Sequence, residues 1–475
     1  MSIYTRMYDT NVYEIAKRQG YLIMEEDDDN NNVESPLPFF YKQGKVPLGQ
    51  SNMATKRGFS REDAFTAFVE EELNHPNLTV CTEVLAKELL FHEDSSSSSN
   101  NNNNITKTCI GIKVILLSSN TNNNTNNNNE EIDLYINHDT NPNSQVIVSL
   151  GSLKTPQLLM LSGIGDENTL NKLNIKCKKH LPSVGQHLQD HPMLNVYCPF
   201  VKTNSNIIKD PNNNKEEQKQ LALQKRINHA KSHGTNIFIN TTLRPTSTSN
   251  HENGILHPKR TGYDITVCTA SWRQPPVPSR LIHDKRYWPQ PGLKSNDFNG
   301  IDTSNYYCGV IMLHQPSSRG EIILQSKNPF DSPILKLNML QDQEDRLRIV
   351  DGMKRWIDIV KEYDVVDVNE LLKQIDEANM DYDTFARTYV ESNQHIACSC
   401  RMGMDEMNSV TKYNLKVHGI NRLRIADASI MPCINSSTTN APSMMIGWAC
   451  GDLIEMEKSG GGGNVLRSNS TTSKL

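Results

Sequence analysis

Glycine is scarce in this sequence: 25 of 475 residues, about 5%, against an ordinary share of roughly 7%. The deficit includes the phosphate-cradling GxGxxG loop, which occurs nowhere in the chain. The nearest approach, Gly163-Ile-Gly165, follows a helical stretch instead of a strand and lacks the third glycine. Long apolar runs are also missing. No stretch nears the ~20 residues of a membrane-spanning helix, so no membrane span is expected. The opening MSIYTRMYDTN lacks the basic-then-apolar layout of a secretory signal. Positive charge is not in excess: 49 Lys and Arg face 54 Asp and Glu, a formal net charge of -5, which gives no basic footprint for nucleic acid. The ten cysteines are too sparse for a disulfide scaffold and are expected as reduced thiols. Cys398 and Cys400 sit close together, but zinc sites use a second ligand pair and a wider gap, so no metal is expected.

Asparagine is abundant instead, and it accounts for the low mean hydropathy of -0.57. Asp27 to Asn32, Ser95 to Asn104 and Asn122 to Asn129 are homopolymer-like polar tracts. Such segments bury nothing to offset the entropy of ordering, so they are expected to be disordered surface insertions. Set aside, they leave apolar and β-branched runs at 77–91, 107–117, 133–137 and 144–152, the signature of strands in a partly buried sheet. Further strands are expected between Tyr263 and Leu324. Thr155 to Ser162 predicts a helix with Thr155 as N-cap and Pro156 at its first position. Gln343 to Tyr363 predicts another, with Leu347, Val350, Trp356, Ile357 and Val360 gathered on one side. A last helix is expected over Ala441 to Glu457, followed by a flexible tail from Ser459 that opens on Gly460 to Gly463.

Several motifs occur in a fixed order. Gly151-Ser-Leu-Lys-Thr155-Pro156 runs through to Ser162-Gly163-Ile-Gly165, and Pro182-Ser-Val-Gly185 continues to Asp190-His191-Pro192. Ser318-Arg319-Gly320 precedes EIIL. Near the end stand His395-Ile-Ala-Cys398-Ser399-Cys400, then LKVHGINRLRIADASIMP over 415–432, Thr439-Asn440-Ala441-Pro442 and MMIG over 444–447. Together they resemble the glucose-methanol-choline family of FAD-dependent alcohol oxidoreductases, on its choline dehydrogenase-like branch, over roughly residues 2 to 457. The resemblance implies an α/β fold. A Rossmann-like FAD-binding domain without its first βαβ unit would accompany an α+β substrate domain with an antiparallel sheet. It divides the chain into a remnant of the family's N-terminal region (1–56), an FAD-binding segment carrying the Asn-rich insertions (57–191), a substrate-binding domain (192–394), an active-site and FAD-binding segment (395–457) and the tail (458–475). The family's glycine loop and its Gly-Gly-Ser/Thr-rich signature have no counterpart, and Tyr4-Thr-Arg6 resembles the stretch just after them. An N-terminally incomplete member is therefore expected, with a genuine short product as the alternative.

The resemblance also assigns roles. His395 matches the family's active-site histidine, and imidazole, with an ordinary pKa near 6.5, is a workable base for an alcohol proton. The bland alternative is a hydrogen-bonded core histidine. Asn440 matches the second active-site position, where a carboxamide can orient a hydroxyl but cannot take its proton. Gly151, Asp427 and Ala428 match positions beside FAD, and Ala86 matches one that meets the adenine through its backbone; Asp427 is equally compatible with a cap or turn role. His191 is expected to be structural and His418 to lie at the surface. Where the family usually has Gly-Thr after His-x-x, this chain has Cys398-Ser399, and a side chain at the first position would crowd the backbone if its φ were positive. The implied reaction oxidises a small alcohol to an aldehyde or ketone with FAD as cofactor and O2 or another electron acceptor. The last three residues, Ser473-Lys474-Leu475, match a peroxisomal address, so a peroxisomal location reached through an import receptor is expected, with an accidental tripeptide as the alternative. An inactive chain unable to hold FAD is the rival expectation.

Overall fold

The structure, a computed structural model, describes residues 64–93, 107–117, 130–137, 143–203, 214–232, 235–239, 265–270 and 306–458, together with 18, 22–23, 47–49 and 141. The three Asn-rich tracts and the tail with its terminal tripeptide lie outside the described residues.

In chain order the elements are β1 (Leu22–Ile23), β2 (Pro47–Gly49), α1 (Ala64–Phe68), β3 (Val84–Glu93), β4 (Lys107–Leu116), β5 (Glu131–Tyr135), β6 (Val146–Val148) and α2 (Gly151–Leu161). Next come β7 (Ile164–Gly165), α3 (Glu167–Lys172), β8 (Lys179–His180), β9 (Pro192–Pro199), α4 (Asn214–Ser232), β10 (Thr235–Ile239), β11 (Ile265–Ala270) and β12 (Tyr306–Leu313). The chain continues through β13 (Glu321–Ile323), β14 (Ile334–Lys336), α5 (Gln343–Lys361), α6 (Val368–Glu377), α7 (Tyr382–Tyr389) and β15 (Val390–Ser392). It closes with β16 (Ile420–Asn421), β17 (Leu423–Ile425) and α8 (Asn440–Lys458).

One sheet has seven strands in the order β1-β2-β10-β11-β12-β9-β15, antiparallel throughout except for the β1–β2 pair. Helices α5, α6 and α7 cover one face, where Trp356, Ile349 and Met353 meet Leu194, Val196 and Ile311 in a single buried cluster. The fit is tight at Gly309, where a Cβ would lie 2.3 Å from the Trp356 ring. Helix α5 spans the residues expected of it, but its buried stripe runs through Ile349, Gly352, Met353, Trp356 and Val360, and Leu347 is exposed. A row i, i+3, i+4, i+7 through Ile349 excludes Leu347 from the covered face.

A second core collects β3, β4, β6, α2, β17 and the segments around them, including Leu89, Leu159, Ile164, Leu188, Leu423 and Ile425. Strand β4 pairs antiparallel with β3 and β5 and parallel with β16, while β6 and β17 pair in parallel. Helix α2 begins at Gly151 and not at Thr155, so Pro156 stands inside it. The start is moved by a carboxylate from far along the chain: Asp427 accepts the Gly151 N–H at 3.0 Å and the Thr155 hydroxyl at 2.6 Å. Thr155 in turn accepts the Leu150 N–H at 3.2 Å. Proline has no N–H to offer the carbonyl one turn back, which is that of Ser152. That carbonyl accepts the Ser399 hydroxyl instead, at 2.6 Å.

Candidate active site

Two extended segments pair antiparallel, one leading into β9 and the other following β15. Gln189 and Ala397 exchange backbone hydrogen bonds of 3.1 and 2.9 Å, and Asn393 N–H donates to the His191 carbonyl at 3.2 Å. The second segment is held from its other side: Cys398 and Cys400 donate backbone N–H groups to Ala428 and Ser429 at 3.1 and 2.8 Å. Glycines mark the closest approaches. A Cβ on Gly185, at φ +79°, would stand 2.6 Å from the Ile322 carbonyl, and one on Gly320 would stand 2.2 Å from that of Lys336. The motifs around these residues are thus packing contacts that bring the Asp190–His191 pair against His395.

The side chains follow from that pairing. Asp190 is buried, and its Oδ1 accepts the backbone N–H of both His191 and His395, at 2.8 and 2.9 Å. Its Oδ2 accepts the Ser392 hydroxyl. Burial raises the Asp190 pKa, and these donors pull it back. His191 is fully buried; its Nδ1 lies 2.9 Å from Nδ1 of His395, and its Nε2 lies 2.8 Å from the Asn435 carbonyl. Burial brings the His191 pKa down to about 4, so the ring is neutral at neutral pH. A third ring, His314, is buried 5.2 Å from His191 between centroids, and burial holds it neutral as well. Its carbonyl accepts from the buried Arg348 at 2.8 Å. His395 is half-buried. Burial lowers its pKa and the nearby Asp190 charge opposes the shift. One exposed-edge imidazole thus stands before two neutral, buried ones, an arrangement suited to taking a single proton.

Gly151, Asp427 and Ala428 come together. Besides Gly151 and Thr155, the Asp427 carboxylate accepts the Ser429 N–H at 2.8 Å, so it acts as a cap at two starts at once. Ala428 joins this cluster to the His395 segment through its carbonyl. Ala86 lies apart on β3, half-buried, beside a register shift between Ala86 and Glu88. Asn440 opens α8, is exposed, and makes no hydrogen bond with His395 among the described residues. His418 is not at the surface: it is 4% exposed, with Nε2 within 3.0 Å of the Ser409 hydroxyl and 3.1 Å of the Gly403 carbonyl. The turn at Gly419, φ +66°, folds it inward. Cys398 sits at φ +74°, a region that favours glycine, and its buried Sγ reaches Gln189 Oε1 at 3.4 Å. Sequence reasoning gave no site role to Asp190 or Asn393, whose amide lies 3.0 Å from His395 Nδ1, and expected His191 to be structural only. The available signal for Asp190 and His191 was the Asp190-His191-Pro192 motif itself.

Two GMC oxidoreductase family models match the chain, one over residues 41–193 and one over 316–447. Curated relatives include oxygen-dependent choline dehydrogenases. The one from Pseudomonas fluorescens (strain SBW25) is 29% identical over 319 residues, covering 66% of this chain and 50% of the relative. The one from Burkholderia pseudomallei (strain K96243) is 30% identical over 318 residues, with the same coverage of each. The chain spans about half the length of the curated relatives it matches. Among solved structures, a formate oxidase superposes with TM-score 0.62 at 20% identity, covering 95% of this chain and 70% of the other. Pyridoxine 4-oxidase from Mesorbium loti gives 0.59 at 17%, covering 94% and 69%. These likenesses establish the fold.

Proposed function

Because the chain belongs to the GMC oxidoreductase family, we propose that it takes part in FAD-dependent oxidation of an alcohol to an aldehyde or ketone, with His395 as the base. The observation that carries this reading is the placement of His395 at the open end of a buried network of neutral imidazoles anchored on Asp190. The residues present fit FAD in part. Nothing lies within 4 Å of where a Cβ on Gly151 would sit, so the turn from β6 into α2 leaves bare backbone open to a ligand. Gly151, Asp427 and Ala428 would hold FAD on that side, and Ala86 would meet its adenine. When bound, FAD supplies a two-electron acceptor for the hydride of the alcohol carbon. His395 takes the hydroxyl proton, the Asp190 charge favours the imidazolium that forms, and Asn440 would orient the hydroxyl from the start of α8. The likeness to oxygen-dependent choline dehydrogenases supports O2 as acceptor. The Ser473-Lys474-Leu475 tripeptide supports a peroxisomal site, reached through an import receptor; import that survives its removal would refute this.

A second reading has its own observation. The N-terminus of α2 already faces the Asp427 carboxylate, whose negative charge opposes an anionic diphosphate there, and the sequence holds no GxGxxG loop to replace it. On this reading the 475-residue chain does not retain FAD and is inactive. One experiment separates the two. Chain purified with added FAD is yellow and bleaches anaerobically with an alcohol on the first reading, and His395→Ala keeps the colour while losing the bleaching. A colourless chain that takes up no FAD supports the second.

A further inference from the structure

The contact between His191 and His395 constrains more than their positions. The partner of His191 Nε2 is a backbone carbonyl, that of Asn435 at 2.8 Å, which can only accept. Nε2 therefore carries the His191 proton. The ring is neutral and has one N–H, so its Nδ1 presents a lone pair. That lone pair faces His395 Nδ1 at 2.9 Å. A second lone pair at that distance would be repulsive, so His395 Nδ1 must bring a hydrogen to it. We infer that His191 is a positioning residue that locks His395 in its Nδ1–H tautomer and leaves Nε2 as the nitrogen free to accept a proton. The consequence for catalysis rests on the reading of His395 as the base; the tautomer itself does not.

Asn393 is the group that tests the logic. Its amide lies 3.0 Å from the same His395 nitrogen, and its N and O are distinguished only by the bonds they make. If the amide donated to a lone pair on His395 Nδ1, that lone pair would also face the His191 lone pair. Turning the His191 proton to Nδ1 would cure this, but would then set a bare Nε2 against the Asn435 carbonyl. Each such arrangement opposes two acceptors within hydrogen-bond distance in a buried site, which is unfavourable. With the Asn393 amide oxygen toward the ring, each contact among the two rings, the Asn435 carbonyl and the amide has one donor and one acceptor, at the expense only of the weak acceptor Met312 Sδ, which lies 2.6 Å from the same amide position. The same chain of bonds serves the protonated state. When Nε2 gains a proton, Nδ1–H still points at His191, and the new charge faces Asp190.

The tautomer is directly measurable by long-range 1H–15N NMR on the full chain labelled with 15N-histidine, with no flavin or substrate present. His395 signals are assigned by their loss in His395→Gln. The expected spectrum at neutral pH shows His395 with Nδ1 protonated and Nε2 bare. His191→Asn, whose amide oxygen replaces the lone pair of Nδ1, keeps that pattern. His191→Gln, whose amide replaces only the Nε2–H, loses it and yields the opposite tautomer or a mixture. A wild-type His395 with Nε2 protonated overturns the inference, whether or not either His191 variant folds. So does an unchanged pattern in a folded His191→Gln chain. If the tautomer is as expected but His395→Ala still bleaches with alcohol, the functional reading fails while the lock stands.

Discussion

The hydroxyl of Ser399 donates to the carbonyl of Ser152 at 2.6 Å, at the point in α2 where Pro156 has removed the usual donor. This single bond ties the helix that begins the Gly151 turn to the segment that carries His395. Both groups are buried, so deleting the hydroxyl strands a carbonyl. Ser399→Ala should destabilise the chain by about 1–3 kcal/mol, read as a lower urea midpoint. Ser399→Thr keeps the hydroxyl and should recover most of the loss. Equal loss in the two variants would show that volume at this site matters and the hydrogen bond does not.

How much of this was legible in advance depended on whether the cause was local. The strands β3, β4 and β12 and the helices α5 and α8 are set by runs and periods within their own sequence, and they appear close to where those runs lie. The start of α2 was misplaced because its cap, Asp427, lies 276 residues away, and no local signal competes with Thr155-Pro156 as an apparent start. His418 was misplaced for a related reason: its burial depends on the Gly403 and Ser409 groups that a turn brings to it. Of the site, His395 was legible through its motif. The role of His191 was not, since it depends on which atoms of two distant segments face each other.

Gly309 on β12 and Trp356 on α5 make the tightest contact of the larger core. The missing side chain lets the indole lie against the strand, with 2.3 Å between the Trp356 ring and where a Cβ would be. Gly309→Ala must push the helix or rotate the ring, and overpacking of this kind costs about 1–3 kcal/mol. Thermal unfolding should move down by several degrees, about 2–4 °C per kcal/mol for a unit of 150–250 residues. An unchanged melting temperature would mean that the helix and sheet are more loosely joined than this contact requires.

The pH dependence of alcohol-driven bleaching in FAD-loaded chain should follow His395. Its pKa is lowered from 6.5, by burial, against the opposing charge of Asp190. The base form then prevails at neutral pH and above, so the rate should be flat there and fall only below pH 6.5. His191, neutral down to about 4, does not add a second step in this range. Asp190→Asn can still accept the two backbone N–H groups but removes the charge, so the acid limb should move to lower pH. An acid limb that moves upward instead would rule out Asp190 as the group supporting protonation of His395.

Glu391 offers a test of opposite sign. It lies on β15 opposite Met193 of β9, and burial pushes its carboxyl up to about 7 from an ordinary 4.5. Between those two values the folded chain binds more protons at this site than the unfolded chain does, so stability from this group falls as pH rises from 4.5 to about 7. His191, depressed from 6.5 to about 4, works the other way, with stability rising over its own window. The two windows overlap, and the wild-type melting curve alone cannot separate them. The difference between wild type and Glu391→Gln can, because His191 contributes equally to both chains. Glu391→Gln should melt close to wild type near pH 5, where the native carboxyl is already protonated. It should melt higher at pH 8, where wild type carries a half-buried carboxylate. A difference that shrinks as pH rises would mean that Glu391 is stabilised as the anion, contrary to its burial.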